Sequence, residues 1–264
     1  MITWSFRKFS IFEKCPEMYH RTYDLKEKPV ENQRKYLDGY VLHTLVEEYI
    51  NKNIYQTQDK SWLHANMMRH VTRYITNLHN HPTKFIKFKD DKKDEEKAIN
   101  KITKCIDNTH ALFQYENFHT KKLVGEFEPP DGGVKINNLV SIDGSIDILV
   151  ESDDGYTVVD LKTSESKRFL QKDQLVFYYI IVRELKGYAP KELYFFSAHK
   201  NAKIKCTVTE DDASELIRKM TAYTKQIETS NYRQMNMQSC WGCPHIDLCH
   251  AEHFGDFSNG RYSL

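Results

Sequence analysis

The sequence predicts an α/β (α+β) fold in which a central mixed β-sheet is flanked by helices. Three features carry that expectation: helical apolar spacing up to residue 118, a following cluster of short apolar runs parted by turn signals, and a strand–helix alternation to residue 229. Residues 3–24 carry Trp4, Phe6, Phe9, Phe12, Tyr19 and Tyr23 at helical spacing, interrupted by Cys15-Pro16. Residues 35–55 read as an amphipathic helix with Leu42, His43, Leu45, Val46 and Tyr49, and 61–80 as another. The mixed-sign run from Lys84 to Lys97 reads as a solvated loop and helix start, leading into a helix with Ile99, Ile102, Ile106 and Leu112. Segments 121–128, 139–150 and 156–162 read as strands, separated by Pro129-Pro-Asp-Gly-Gly133 and Ser152-Asp-Asp-Gly155. A helix over 169–186, strands over 191–197 and 202–208, and a helix over 210–229 follow. The tail, 231–264, is rich in Cys, His and aromatics without clear periodicity.

A chain of 264 residues fits one domain, since single cores seldom grow past about 250–300 residues. With 40% apolar and 12% aromatic residues it can bury a core, which excludes a disordered chain. The net charge of +1 supplies no global field for a polyanion, so any such site must come from local Lys and Arg clusters. No apolar run reaches the roughly 18 residues needed to span a bilayer, and the start, MITWSFRKFS, lacks the apolar stretch of a secretory signal. The expectation is a soluble, cytoplasmic protein of a cell or a virus. There, six cysteines point to metal binding rather than disulfides.

The most informative stretch is Ser141-Ile-Asp-Gly-Ser-Ile-Asp147 followed by Val158-Val-Asp160-Leu-Lys162. Asp160 and Lys162 are two apart and share one strand face, with Leu161 on the other. Asp147 lies on the preceding strand. A two-residue loop at 154–155 would set it opposite Lys162, and a four-residue loop at 152–155 opposite Asp160; either puts all three on one face. Two carboxylates on neighbouring strands suit a hard cation such as Mg²⁺. A surface hairpin with ordinary polar residues would carry the same spacing, but Asp160 and Lys162 stand in an otherwise apolar run, where polar side chains need partners.

Four motifs in order resemble the RecB-like branch of the PD-(D/E)XK nuclease superfamily: Gly39-x-x-x-His43, Gly144-x-x-Asp147, Asp160-x-Lys162 and Gln174-x-x-x-Tyr178. The resemblance implies a restriction-endonuclease-like core over 120–230, with a helical N-terminal insertion over 35–118. It implies that His43, Asp147, Asp160 and the Leu161 carbonyl hold Mg²⁺ or Mn²⁺ and that Lys162 is catalytic. Gln174 and Tyr178 would brace the site and contact DNA. Read without the family, His43 and Tyr178 are ordinary core or boundary residues. Glu126, on the first predicted strand, is a further acidic candidate for the site.

The tail contains Cys240-x-x-Cys243-x₅-Cys249, three soft ligands within ten residues, and Cys15 is the natural fourth. One early and three late cysteines resemble the iron–sulfur nucleases of the same branch, the AddB-type subunits and the CRISPR-associated adaptation exonucleases. It is this resemblance that implies a [4Fe–4S] cluster joining 1–30 to 231–264. A zinc site on the four cysteines, or with His245, His250 or His253 substituting, is the alternative. Cys105 and Cys206 read as buried thiols.

Basic residues cluster at Arg7-Lys8, Lys121-Lys122, Lys167-Arg168-Lys172 and Lys200-Lys203-Lys205. Trp4, Tyr19 and Trp241 could stack on unpaired bases, although core packing weighs more for each. The resulting expectation is a metal-dependent DNA nuclease, an exonuclease on single strands or ends in recombination, repair or CRISPR-type processing, with other DNA-processing proteins as partners. The alternative is a DNA-binding scaffold subunit without turnover.

Overall fold

The computed structural model describes residues 1–79, 81–89, 91–164, 166, 170–230, 234–240 and 243–254, apart from the side chains of 91, 250, 251, 253 and 254. In chain order the elements are β1 (Ile2–Trp4), α1 (Phe6–Lys14), α2 (Pro16–Tyr19), β2 (Glu31–Asn32), α3 (Leu37–Asn51), α4 (Lys60–His79), β3 (Lys84–Phe85), α5 (Asp91–Tyr115) and β4 (Lys122–Phe127). There follow β5 (Val134–Lys135), β6 (Val140–Ile142), β7 (Ile146–Ser152), β8 (Gly155–Lys162), α6 (Lys172–Lys186), β9 (Glu192–Ser197), β10 (Ala202–Lys205), α7 (Glu210–Glu228) and α8 (Ile246–Phe254).

The central sheet has the order β10-β9-β8-β7-β4 and is mixed: β8 runs parallel to β9, and the other pairs are antiparallel. A parallel pair needs a long crossover, which α6 provides. Side chains alternate between two cores. Ile148, Val150, Val159, Leu161, Tyr194 and Phe196 join the core of α3, α4 and α5, whereas Leu149, Val158, Leu193 and Phe195 join that of α1, α6 and α7. The predicted α/β class and flanking helices are therefore what the molecule has. The helices of 35–118 share a continuous core with the sheet.

Two expectations need correction. Residues 2–4 form a strand, not the start of a helix, because β1 pairs parallel with β6; Ser5 then caps α1 by accepting from the Lys8 N–H. The run 139–150 is two strands in two sheets, broken at 143–145. At this break Asp143 N–H donates to the Trp4 carbonyl, and Gly144 passes over α6, where a Cβ would lie 3.6 Å from Ile181 Cδ1 and 3.9 Å from Tyr178 Cε1. The apolar alternation runs on through this change of sheet, so periodicity alone could not reveal it.

The hairpin register is the second of the two alternatives, reached by a shorter turn. Ser152 pairs with Gly155 and Ile148 with Val159, so the turn residues are Asp153 and Asp154. Continuing that register sets Asp147 opposite Asp160. Gly155 occupies φ 122°, a conformation that residues with a Cβ resist.

Candidate active site and cysteine cluster

Register brings acidic residues from three neighbouring strands into one row. Gly125 pairs with Ile148 and Phe127 with Ile146, so Glu126 on β4 lies across from Asp147 on β7. Asp160 follows on β8. His43 reaches the row from α3, held close to β4 because Gly125 lacks a Cβ, which would sit 3.2 Å from the Glu47 Cα. Among the described residues, His43, Glu126 and Asp147 form the one trio of His, Cys, Asp or Glu whose ligand atoms lie within 4.8 Å of one another.

Asp147 is held from two sides. One oxygen meets His43 Nδ1 at 2.9 Å, and the other accepts the Leu161 backbone N–H at 2.6 Å. Asp160, 0% exposed, belongs to a second set. Its Oδ1 accepts from Gln174 Nε2 at 2.7 Å and Tyr178 Oη at 3.3 Å, and its Oδ2 lies 2.6 Å from Lys162 Nζ. Lys162 also donates to Gln174 Oε1 at 2.9 Å, and its ammonium sits 5.5 Å from the Phe195 ring centroid. Gln174 thus fixes both members of the Asp160–Lys162 pair, and the one-turn spacing to Tyr178 lets both side chains reach the same carboxylate. Apart from the ammonium, Asp160 Oδ2 is buried and takes no hydrogen bond.

The electrostatics follow from crowding carboxylates in a partly dry site. Burial alone would lower the pKa of His43, but Asp147 and then Asp160 and Glu126 outweigh it and push the imidazole up to about 9. Burial, reinforced by the charge of Asp147 and opposed by Lys162, pushes Asp160 up to about 6. Burial also raises Glu126, with Asp147 adding and a hydrogen bond from Ser145 opposing. Burial and the charges of Asp160 and Asp147 hold the Tyr178 phenol well above its ordinary value, so it remains a neutral donor.

Sequence reasoning undervalued Glu126. It is a non-glycine residue at φ 49°, a backbone strain of the kind that gathers at functional sites. The signal that could have found it was register, an acidic residue between Gly125 and Phe127 facing Asp147.

The four selected cysteines come together. Cys15, Cys240, Cys243 and Cys249 line one pocket, joined by Arg21 and His245. Burial raises the late three thiols, and the charge of Cys15 adds to each. The tail is tied down beside Cys15, where the Lys14 carbonyl accepts from Asn236 Nδ2 at 3.0 Å and Ser239 Oγ at 2.9 Å. Under this pocket Arg21 and Glu17, both buried, pair at 3.0 Å, and His245 bridges Thr22 and Glu27. No three of the described thiols approach within 4.8 Å of one another.

Other candidates fare differently. Trp4 and Tyr19 are in the core, and Trp4 Nε1 donates to Thr224 Oγ1 at 2.9 Å, so neither ring is open to a base. Cys105 is fully buried, as expected; Cys206 is half-buried just beyond the end of β10. Several predicted basic clusters are neutralised: Lys122 pairs with Glu151, Lys172 with Asp212, Lys203 with Glu116 and Glu192, and Lys205 with Glu192. Lys167, Arg168, Trp241 and the side chains of His250 and His253 lie outside the described residues.

Acidic groups from neighbouring strands, an imidazole and a buried aspartate paired with a lysine are the equipment of a phosphodiester hydrolase. The chain belongs to the PD-(D/E)XK nuclease superfamily, whose family profile matches residues 3–250. Nucleases of this superfamily use divalent metals. No curated protein matches the sequence. No described helix is long and apolar enough to cross a membrane.

Proposed function

We propose that this protein is a Mg²⁺- or Mn²⁺-dependent deoxyribonuclease of the RecB-like branch, an exonuclease acting on single-stranded DNA or DNA ends in recombination, repair or CRISPR-type processing. The observation that carries the reading is the pairing of buried Asp160 with partly exposed Lys162 on an apolar strand, braced by Gln174 and lying beside Asp147. His43, Asp147, Asp160 and the Leu161 carbonyl would hold the cation, with Glu126 as a further carboxylate. A hard donor set fits such an ion; the buried Asp160 Oδ2 has the Lys162 ammonium, 2.6 Å away, as its partner. When bound, the cation polarises the scissile phosphate and lowers the pKa of its water.

The chain's own groups supply the rest. Lys162 places a positive charge where negative charge develops on the phosphate. Gln174 holds that ammonium by its carbonyl oxygen and Asp160 by its amide, fixing the distance between them. Tyr178 adds a neutral donor to Asp160.

A [4Fe–4S] cluster on Cys15, Cys240, Cys243 and Cys249 completes the proposal. The likeness of one early and three late cysteines to the iron–sulfur nucleases supports the cluster, with zinc on the same thiols as the alternative. Its role is mechanical, tying residue 15 to residues 240–249.

The test is cleavage of end-labelled single- and double-stranded DNA with Mn²⁺. Lys162→Ala should slow it about 100-fold or more. Equal cleavage by the variant would remove the assignment, and binding without cleavage in any metal would indicate a scaffold subunit.

A further inference from the structure

We infer that a basic groove outside the catalytic row binds single-stranded nucleic acid along its phosphate backbone. The groove encloses about 960 Å³ between the cysteine cluster and the start of α3. Eight Lys and Arg side chains line it against three carboxylates, an excess of five positive charges in a chain whose net charge is +1. Six of these cations, Arg7, Lys14, Lys28, Lys84, Lys87 and Lys89, are exposed and have no ion pair among the described residues. They differ in this from the neutralised lysines around β4, β9 and β10 and keep their field for a ligand.

No single stretch of sequence encodes this groove. The short parallel pairing of β2 with β3, Glu31 opposite Lys84 and Asn32 opposite Phe85, brings residues 28–35 against 84–89. Asn32 locks the junction, donating to the Lys87 carbonyl at 2.9 Å and accepting the Lys87 N–H at 3.1 Å. At one end Lys14 adjoins Cys15, and Pro244 and His245 lie between Cys243 and Cys249. At the other, Arg34 pairs with Asp38 in the first turn of α3, the helix that carries His43.

The form of the ligand follows from what accompanies the charge. Tyr36, 44% exposed, and Val30, 73% exposed, also line the groove. The Lys35 ammonium covers one face of Tyr36 at 4.9 Å and the ring is otherwise partly exposed. A positive groove with such a ring suits a strand whose bases are free to stack, whereas a duplex hides its base faces. The inference takes its ligand from the nuclease reading and sharpens it: the substrate presents a single-stranded tract.

The experiment is fluorescence anisotropy of labelled oligo-dT in EDTA, which reads binding without cleavage. Lys84→Glu/Lys87→Glu/Lys89→Glu should loosen binding at least about 10-fold and flatten the salt dependence by about 2, at about 0.7 per phosphate contact. Tyr36→Leu should loosen binding with little change in salt dependence. Circular dichroism checks folding, and Arg7→Glu/Lys28→Glu serves if the triple variant unfolds. Unchanged affinity and salt slope in the folded charge variants would overturn the inference. So would duplex DNA binding as tightly as oligo-dT, or poly-glutamate competing as well at equal charge, the mark of an acidic protein segment. Intact groove binding in a protein that shows no cleavage with any divalent metal, or cleaves equally well as Lys162→Ala, would instead overturn the nuclease reading alone.

Discussion

His43 and Asp147, 104 residues apart in sequence, meet at 2.9 Å where α3 packs against β4 and β7. The contact places a positive imidazole among Asp147, Asp160 and Glu126, all within its electrostatic reach. On the proposed metal reading, a proton and a divalent cation would compete for one set of ligands.

That competition predicts a pH dependence in metal-free protein. Asp160 titrates at about 6 against an ordinary 3.8, and His43 at about 9 against 6.5. Both values are raised on folding. The stability from Asp160 is complete below 3.8 and lost as pH rises through about 6; that from His43 is complete below 6.5 and lost through about 9. Thermal melts in EDTA should show the advantage of wild type over His43→Gln shrinking from pH 6.5 to 9. Excess Mn²⁺ should flatten the trend. An advantage that stays constant with pH in EDTA would contradict it.

Gln174 and Tyr178 make separable predictions. Gln174→Ala frees Lys162 and Asp160 together and should slow cleavage about 10–100-fold, mainly in kcat, because a misplaced group costs positioning rather than binding. Tyr178→Phe removes the long hydrogen bond to Asp160 and the one Tyr178 accepts from Gln174 Nε2 at 2.9 Å. It leaves Gln174 bound to both Asp160 and Lys162, so at about 1 kcal/mol it should slow cleavage only about 5-fold. Single-turnover rates at saturating DNA distinguish the two. Equal losses would mean that Gln174 does not link the pair.

The cysteine proposal predicts brown protein after anaerobic purification, with about four irons per chain. Cys15→Ala and Cys249→Ala should each bleach it and lower the melting temperature, because the link between the chain ends is lost. Colourless protein with stoichiometric zinc would contradict the cluster. Replacing Glu17 by Ala leaves Arg21 paired with Glu27 and Glu252 and should cost less, in denaturant melts, than the about 3–5 kcal/mol of a buried charge left unpaired.

Much of this was legible in the sequence, for identifiable reasons. The period-two spacing of Asp160 and Lys162 and the one-turn spacing of Gln174 and Tyr178 are local, and local geometry survives into the fold. His43 was identifiable only through resemblance, since nothing in a helical histidine points to an aspartate 104 residues away. Glu126 was undervalued because its neighbour, Asp147, is defined by strand register. Trp4 was ambiguous because helical spacing and a three-residue strand cannot be told apart over so short a run. The basic groove was invisible because its cations come from three separate segments, whereas the linear clusters at 121–122 and 200–205 meet carboxylates brought in by the sheet.

The central claim is that Asp147, with His43 and Asp160, holds a catalytic cation. Calorimetric titration of Mn²⁺ into the purified protein tests it most directly. The account predicts saturable binding in wild type that Asp147→Asn abolishes while the protein stays folded. Undiminished Mn²⁺ binding by folded Asp147→Asn would contradict it.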